Sequence, residues 1–303
     1  MTLTKFLVIM TLCGILKETE GYDYCTVKGC QPREHTMCKY PANKPDCKVA
    51  RLGLDVEHRK ELLKVHNELR QKVAQGKEEG QPPAANMMKL SWNNEAEDIA
   101  QRWAERCTFA HDKCRTMKDG TRAGQNIAKA SINSEVDTIS KIVVKCIGSF
   151  YSEVEFTDPA VVASFQGTTG KDGKDIGHYT ALVSSNTTQV GCGFVQKKEI
   201  YSNKFQDIFL VCNYVPTGNM LYMPLYKEGP ACSECPSGSR CSERYPGLCT
   251  NEKNEYEDIP KRPKRAQGIS LHPSWYLLVV LFFIQTYYLN ILSSIKYDRL
   301  IYF

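Results

Sequence analysis

The chain has 303 residues, 14 cysteines and a formal charge of +5. That length holds one large or two ordinary domains, and an apolar share of 42% with 24% charged residues excludes a disordered or collagen-like chain. Lys261, Arg262, Lys264 and Arg265 concentrate positive charge in one short run, so residues 21–250 carry only about +3, too little to argue for nucleic-acid binding.

Residues 1–21 read as a secretory signal: Lys5, an apolar run from Phe6 to Leu16, then the small residues Thr19 and Gly21. Its removal would take away Cys13 and deliver the other cysteines to an oxidising compartment. Cys25 to Cys47 is a loop-like block with four cysteines. Asp55 to about Gly76 is predicted as a helix, capped by Asp55, with Leu62, Val65, Leu69 and Val73 on one stripe. Gln81-Pro82-Pro83 breaks the pattern. Ser91 to Cys107 predicts a second helix, with Asn94 and Glu97 at capping-box spacing. Asp137 to Val154 predicts a third, with Ile142, Val143, Cys146, Ile147 and Phe150 at helical spacing.

The period then changes. His178 to Ser185, Val190 to Gln196 and Asp207 to Val215 are β-branched or aromatic runs separated by turn residues, and are predicted as strands. Helices followed by antiparallel strands argue an α+β fold. Residues 230–249 form a cysteine-rich module, Cys232-x2-Cys235-x5-Cys241-x7-Cys249, followed by a polar and basic linker over 250–270. Arg262-Pro263-Lys264-Arg265 has the form of a dibasic convertase site, with cleavage after Arg265. Residues 274–295 are apolar and long enough for a transmembrane helix, which would tether the chain as a single-pass type I membrane protein. Asn186-Thr187-Thr188 is a glycosylation sequon on Asn186.

Two segments carry a resemblance. Gly177-His178-Tyr179-Thr180-Ala181-Leu182-Val183 is similar to the first signature of the cysteine-rich secretory, antigen 5 and pathogenesis-related (CAP) superfamily. Phe209-Leu210-Val211-Cys212-Asn213-Tyr214-Val215-Pro216-Thr217-Gly218-Asn219 is similar to its second. His66-Asn67-Glu68-Leu69-Arg70, Trp92-Asn93, Trp103-Ala104, His111-Asp112 and Gly124-Gln125-Asn126 follow in the family's order, and the resemblance covers about Cys25 to Tyr226. The N-terminal cysteines and Gly124-Gln125-Asn126 resemble insect venom antigen 5 most.

The resemblance implies a three-layer α-β-α sandwich followed by a small disulfide-rich hinge module. It also implies the bridges Cys25–Cys38, Cys30–Cys114, Cys47–Cys107 and Cys192–Cys212, each worth on the order of 2–4 kcal/mol. Secretion favours two further bridges among Cys232, Cys235, Cys241 and Cys249 over a zinc knuckle. Cys146 is then left as a buried free thiol. The family's two histidines and two acids, facing a central cleft, fall at His111, Gln125, Glu153 and His178. Two neutral imidazoles, His111 and His178, suit zinc or copper, although no cofactor is required. Gln125 replaces a glutamate and cannot act as a general base, and Ser184 stands where the signature has Trp. The expectation is a secreted or tethered non-enzymatic binding module of venom, salivary or allergen type, directed at a host, prey or cell-surface protein. The rivals are a metal-dependent hydrolase or redox activity at His111/His178, and sterol or lipid capture in an apolar groove near the Gly-rich loop Ser164–Ile176. His66 is expected to pack in its helix, and His35, His58 and His272 to have no partners.

Overall fold

Nineteen residues from Val56 to Ala74 make the first long helix because Asp55 accepts a hydrogen bond from the His58 amide and the apolar stripe turns inward. In this computed structural model, residues 22–133, 138–198, 205–255, 259–260 and 285 are described. The leader 1–21 with Cys13, the basic run ending at Arg265, His272 and, Gln285 apart, the apolar segment 274–295 lie outside them. The chain divides into two compact units, Met1–Pro260 and Lys261–Phe303. Among the described residues no helix is long and apolar enough to cross a membrane.

The elements of the first unit, in chain order, are α1 (Thr36–Lys39), β1 (Val49–Leu52), α2 (Val56–Ala74), β2 (Ser91–Trp92), α3 (Asn94–Ala104), β3 (Gly124–Asn133), α4 (Ile139–Ser152), α5 (Ala160–Ala163), α6 (Gly177–Val183), β4 (Gln189–Lys197), β5 (Phe205–Val215), β6 (Arg240–Cys241) and β7 (Cys249–Thr250). The main sheet runs β1-β4-β5-β3, antiparallel throughout, with β2 added parallel to β4. Alternation along β4 and β5 sends Val190, Cys192, Phe194, Leu210, Cys212 and Tyr214 into one core with α2, α4 and α6. Val195 and Val211 go to the opposite face, against Ala100 and Trp103 of α3. These are the three layers of an α-β-α sandwich.

The α3 side is unusually thin. A Cβ on Gly191 would stand 2.3 Å from the Glu97 amide nitrogen, and one on Gly193 2.2 Å from that of Gln101. The helix backbone therefore rests directly on the strand, and Gln101 Oε1 accepts the Phe194 amide at 2.8 Å. Between the two glycines, Cys192 bridges to Cys212 on β5.

Three local readings are corrected. His178 to Ser185 is not a strand, because Gly177–Val183 forms α6. Tyr179, Leu182 and Val183 are wholly buried in the core at helical spacing, and the Thr180 hydroxyl donates back to the Ile176 carbonyl, so tertiary burial overrides β-propensity. The second helix is capped by Asn93, whose Oδ1 accepts the Ala96 amide, not by Asn94. Glu97 turns instead to Arg59 Nε and Trp92 Nε1, at 2.9 Å each. Strand β3, unforeseen in sequence, fills the gap between α3 and α4 and forms one edge of the sheet path.

The disulfides are Cys25–Cys38, Cys30–Cys114, Cys47–Cys107, Cys192–Cys212, Cys232–Cys241 and Cys235–Cys249. The last two occupy the sulfurs that a zinc knuckle would need. Cys146 is a buried free thiol, its pKa pushed up to about 11 by burial, which leaves it unreactive. The cysteine-rich module does not stand apart: Tyr245 and Leu248 enter the main core, Cys249 exchanges main-chain hydrogen bonds with Met87 and Lys89, and buried Lys89 pairs with Glu252 at 2.6 Å.

Arg70 of α2 is fully buried and donates to the carbonyls of Met88, Leu182, Ser184 and Thr187, tying α6 and its following turn to α2. Burial pushes its guanidinium down to about 9, and among the described residues its hydrogen-bond acceptors are all main-chain carbonyls. The glycine contact makes the sharper test of the layer geometry. Gly193→Ala should lower stability by about 3 kcal/mol in a urea titration, because α3 must lift from β4. Ala substitution at exposed Gly148, which has open space around it, should cost less than about 1 kcal/mol or stabilise its helix.

Candidate functional site

Glu153 ends α4 as its C-cap residue. Its Oε2 accepts the amides of His178 (2.8 Å) and Tyr179 (3.0 Å), and its Oε1 lies 2.5 Å from His178 Nδ1. One carboxylate thus pins the first turn of α6 and one ring edge of His178. The ring itself stacks on Phe150, one turn back along α4, with centroids 5.0 Å apart and planes at 14°. Because a carboxylate oxygen only accepts, His178 Nδ1 carries a proton, and in the neutral ring the lone pair is therefore on Nε2.

His111 has the same arrangement with a different partner. It is exposed, and its Nδ1 lies 2.9 Å from Gln125 Oε1 on β3. The Gln125 amide nitrogen donates to Asp112 Oδ1 and Asn213 Oδ1, both at 3.1 Å. That orientation leaves Oε1 as the acceptor, so His111 donates through Nδ1, and in its neutral form the lone pair is on Nε2. A glutamate at 125 would turn a carboxylate toward the Asp112 carboxylate and the Asn213 carbonyl, which explains why an amide suits this pocket of acceptors. Asp112 is itself held by Arg115 and the Thr36 hydroxyl.

The residue after Gln125 reaches the other histidine. Asn126 Nδ2 donates to the His178 carbonyl at 3.0 Å and to the Tyr214 hydroxyl oxygen at 3.3 Å. Consecutive residues of β3 therefore hold His111 through its ring and His178 through its main chain. Tyr214 continues inward to His66 Nε2 at 2.9 Å, and His66 Nδ1 donates to the Leu62 carbonyl at 2.7 Å. His66 packs in its helix as expected, but it also anchors a polar chain running from α2 to the His178 backbone.

Sequence reasoning missed Asp175. Its carboxylate, the Glu153 carboxylate and a His178 ring nitrogen lie within 4.8 Å of one another. The spacing Asp175-x-x-His178 was the available signal. His35 and His58, expected to have no partners, do have them. His35 is buried, with Nδ1 accepting the Met37 amide and Nε2 on the Thr116 carbonyl, and His58 lies 2.7 Å from Asp55. Both are structural contacts at helix N-termini.

A separate groove of about 970 Å³ is lined by Gln81, Pro82, Ala160, Val162, Pro224 and Tyr226 among others. It lies beside α5 and is lined as far as Ala163, so it adjoins the loop 164–176, although none of that loop's residues lines it. That loop is tied down, with Phe165 exchanging main-chain hydrogen bonds with Tyr222 and Met223. Asn186, the sequon residue, is exposed in the turn between α6 and β4.

The model of the cysteine-rich secretory protein (CAP) family matches residues 63–214, half of the chain. The chain belongs to that family. Venom allergen 3 homolog of Dinoponera quadriceps is 38% identical over 229 residues, which span 71% of this chain and 94% of that protein. The crystal structure of NaASP2 with Zn2+ is similar over 70% of this chain and 100% of that one, with a TM-score of 0.50 and 25% identity. That of Na-ASP-1 has a TM-score of 0.53 and 28% identity over 70% of this chain, and the match spans half of that longer chain.

The buried His66 gives this CAP protein a measurable acid sensitivity. Burial lowers its pKa from 6.5 to about 4, so the unfolded chain takes up a proton before the folded one does. His66 should therefore leave stability unaffected above about pH 6.5 and reduce it progressively as pH falls toward 4, by up to about 3 kcal/mol. Urea midpoints measured across that window should show this slope in the wild type and a shallower one in His66→Gln.

Proposed function

We propose that this CAP protein is a secreted, non-enzymatic binding module of the venom, salivary or allergen kind, and that its cleft takes a divalent metal through Nε2 of His111 and His178. The observation that supports the metal reading is the matched orientation: each ring turns Nδ1–H to an acceptor, Gln125 or Glu153, so that the neutral ring has Nε2 for a metal. Metal-binding imidazoles are commonly oriented this way by a carbonyl or carboxylate behind them. The donor set fits zinc or copper better than magnesium or calcium, because its free ligands are imidazole nitrogens. The related NaASP2, whose crystal structure is with Zn2+, agrees with this choice. When bound, the metal would supply a local positive charge. Glu153 and Gln125 would orient the rings, and Asp175 offers a carboxylate beside His178.

The same geometry argues against turnover. Glu153 accepts two amides and the His178 ring, so its lone pairs are engaged in holding α6. Gln125 cannot take a proton, and no other ionisable side chain hydrogen-bonds His111 among the described residues. A hydrolytic centre would have to recruit Asp175, whose Oδ1 already accepts the Gly177 amide, as its base. The secreted reading rests on the cysteine-rich secretory family, the dense disulfides and the venom allergen relative.

A second reading, capture of an amphipathic lipid, draws on the groove of about 970 Å³ beside α5, where prolines, alanines and Val162 line the space together with Lys227, Glu228 and Glu234. Titration calorimetry with zinc and copper should give one site in the wild type, lost in both His111→Ala and His178→Ala, with no hydrolysis or redox turnover by the loaded protein. Unchanged affinity in both variants would refute the metal reading, and turnover lost with the same histidines would restore the enzyme. Native mass spectrometry of protein from its source should show the metal, any lipid, a glycan on Asn186 and whether the chain ends at Arg265.

A further inference from the structure

We propose that a small concavity beside the Cys30–Cys114 bridge binds a tetrahedral oxyanion, a sulfate or phosphate group, independently of the histidine cleft. Its volume is about 190 Å³, and Lys113, Arg115 and Arg122 line it together with Gly29 and Thr116. Residues 113–122 hold four cations, Lys113, Arg115, Lys118 and Arg122, against the single acid Asp119. Much of the chain's otherwise mild positive charge is therefore gathered on one short loop.

The donors facing this space are only partly used. Arg115 gives Nε and Nη2 to Asp112, which fixes the guanidinium plane, and its Nη1 has only a long contact of 3.4 Å with the Ala123 carbonyl. Lys113 is exposed and lies 3.4 Å from Glu34, a carboxylate that Lys39 approaches more closely at 3.1 Å. Arg122 is exposed, and among the described residues its guanidinium has neither an acceptor nor an ion pair. Asp112 pairs with Arg115, and Glu34 is shared between Lys113 and Lys39, so Arg122 is left without an acid partner among the described residues.

The loop carrying these side chains is held at many points. The Cys30–Cys114 bridge fixes one end, and the Thr217 amide donates to the Arg122 carbonyl at the other. Between them the Met117 amide donates to Thr121, the Lys118 amide to Glu95, and the Thr116 carbonyl meets the buried His35 ring. Ordering the site for a ligand therefore costs little main-chain entropy. The three lining cations outnumber the two carboxylates paired with them, Asp112 and Glu34, and a doubly charged oxyanion presents several acceptors to forked guanidinium donors. The space is smaller than the roughly 300–1,000 Å³ of pockets that engulf an organic molecule. It suits one anionic group, free or carried on a larger chain.

Heparin, a sulfated polysaccharide, and sodium sulfate are the probes. Arg122→Ala and Lys113→Ala should each weaken heparin binding, and the double variant should weaken it roughly tenfold or more. Lys141→Ala, which removes an exposed cation from α4, should leave binding within about twofold of the wild type. All three side chains are exposed, and unchanged circular dichroism verifies folding. Sulfate should displace heparin at concentrations where chloride of equal ionic strength does not. Titrating the wild type with each probe separately tells a free anion from a sulfated chain, and tight binding of either supports the site. Equal losses in Lys141→Ala and Arg122→Ala, no loss in the double variant, or equal displacement by chloride and sulfate would overturn it.

Discussion

The contact on which the other elements depend is the backbone-to-backbone approach of α3 to β4 at Gly191 and Gly193. With no side chain between them, helix and strand are locked at one separation, and the Cys192–Cys212 bridge between the glycines carries that position across to β5. β5 pairs with β3 along ten residue pairs, from Gly124 opposite Tyr214 to Asn133 opposite Phe205. The location of Gln125 and Asn126, and through them of both cleft histidines, follows from this chain of contacts. The other face of the same strands carries the apolar residues that seat α4 and α6, and with them Glu153 and His178.

His111 and His178 are held by different physics. His178 is held by a carboxylate, a stacked phenyl ring and a main-chain carbonyl contact to Asn126, all from elements packed on the large core. His111 is exposed and depends on one amide, Gln125, whose orientation is set by Asp112 and Asn213. An amide at 125 cannot take a proton as a carboxylate could, but its side-chain oxygen still faces His111 Nδ1. Under the proposed metal reading, the amide at 125 would remove a potential proton acceptor while still orienting His111.

Much of this was legible in the sequence where local rules and tertiary burial agree. Asp55 capped its helix, the α2 and α4 stripes faced inward, and the β4 and β5 runs were strands because their alternation met a core on both faces. The rule failed at α6. His178 to Val183 has strand-like composition, yet Glu153 supplies an acceptor for the His178 and Tyr179 amides, and Arg70 gathers the carbonyls of Leu182 and Ser184. Those long-range partners decide the conformation and leave no periodic trace. The same is true of Asn93, which outcompeted Asn94 as the cap, and of β3, whose Ala, Lys and Ser residues give no strong alternation. Asp175 and the basic concavity near Arg122 become visible only when the fold brings distant residues together.

The central claim is that both imidazoles hold Nδ1–H and present a bare Nε2 to a common metal. Long-range ¹⁵N–¹H NMR of the histidine rings, before and after adding zinc, tests it most directly. His111 and His178 should both show the Nδ1–H tautomer in the free protein, and their Nε2 resonances should move together on titration while those of buried His66 do not. An Nε2–H tautomer on either cleft ring, or zinc shifts confined to other histidines, would contradict it.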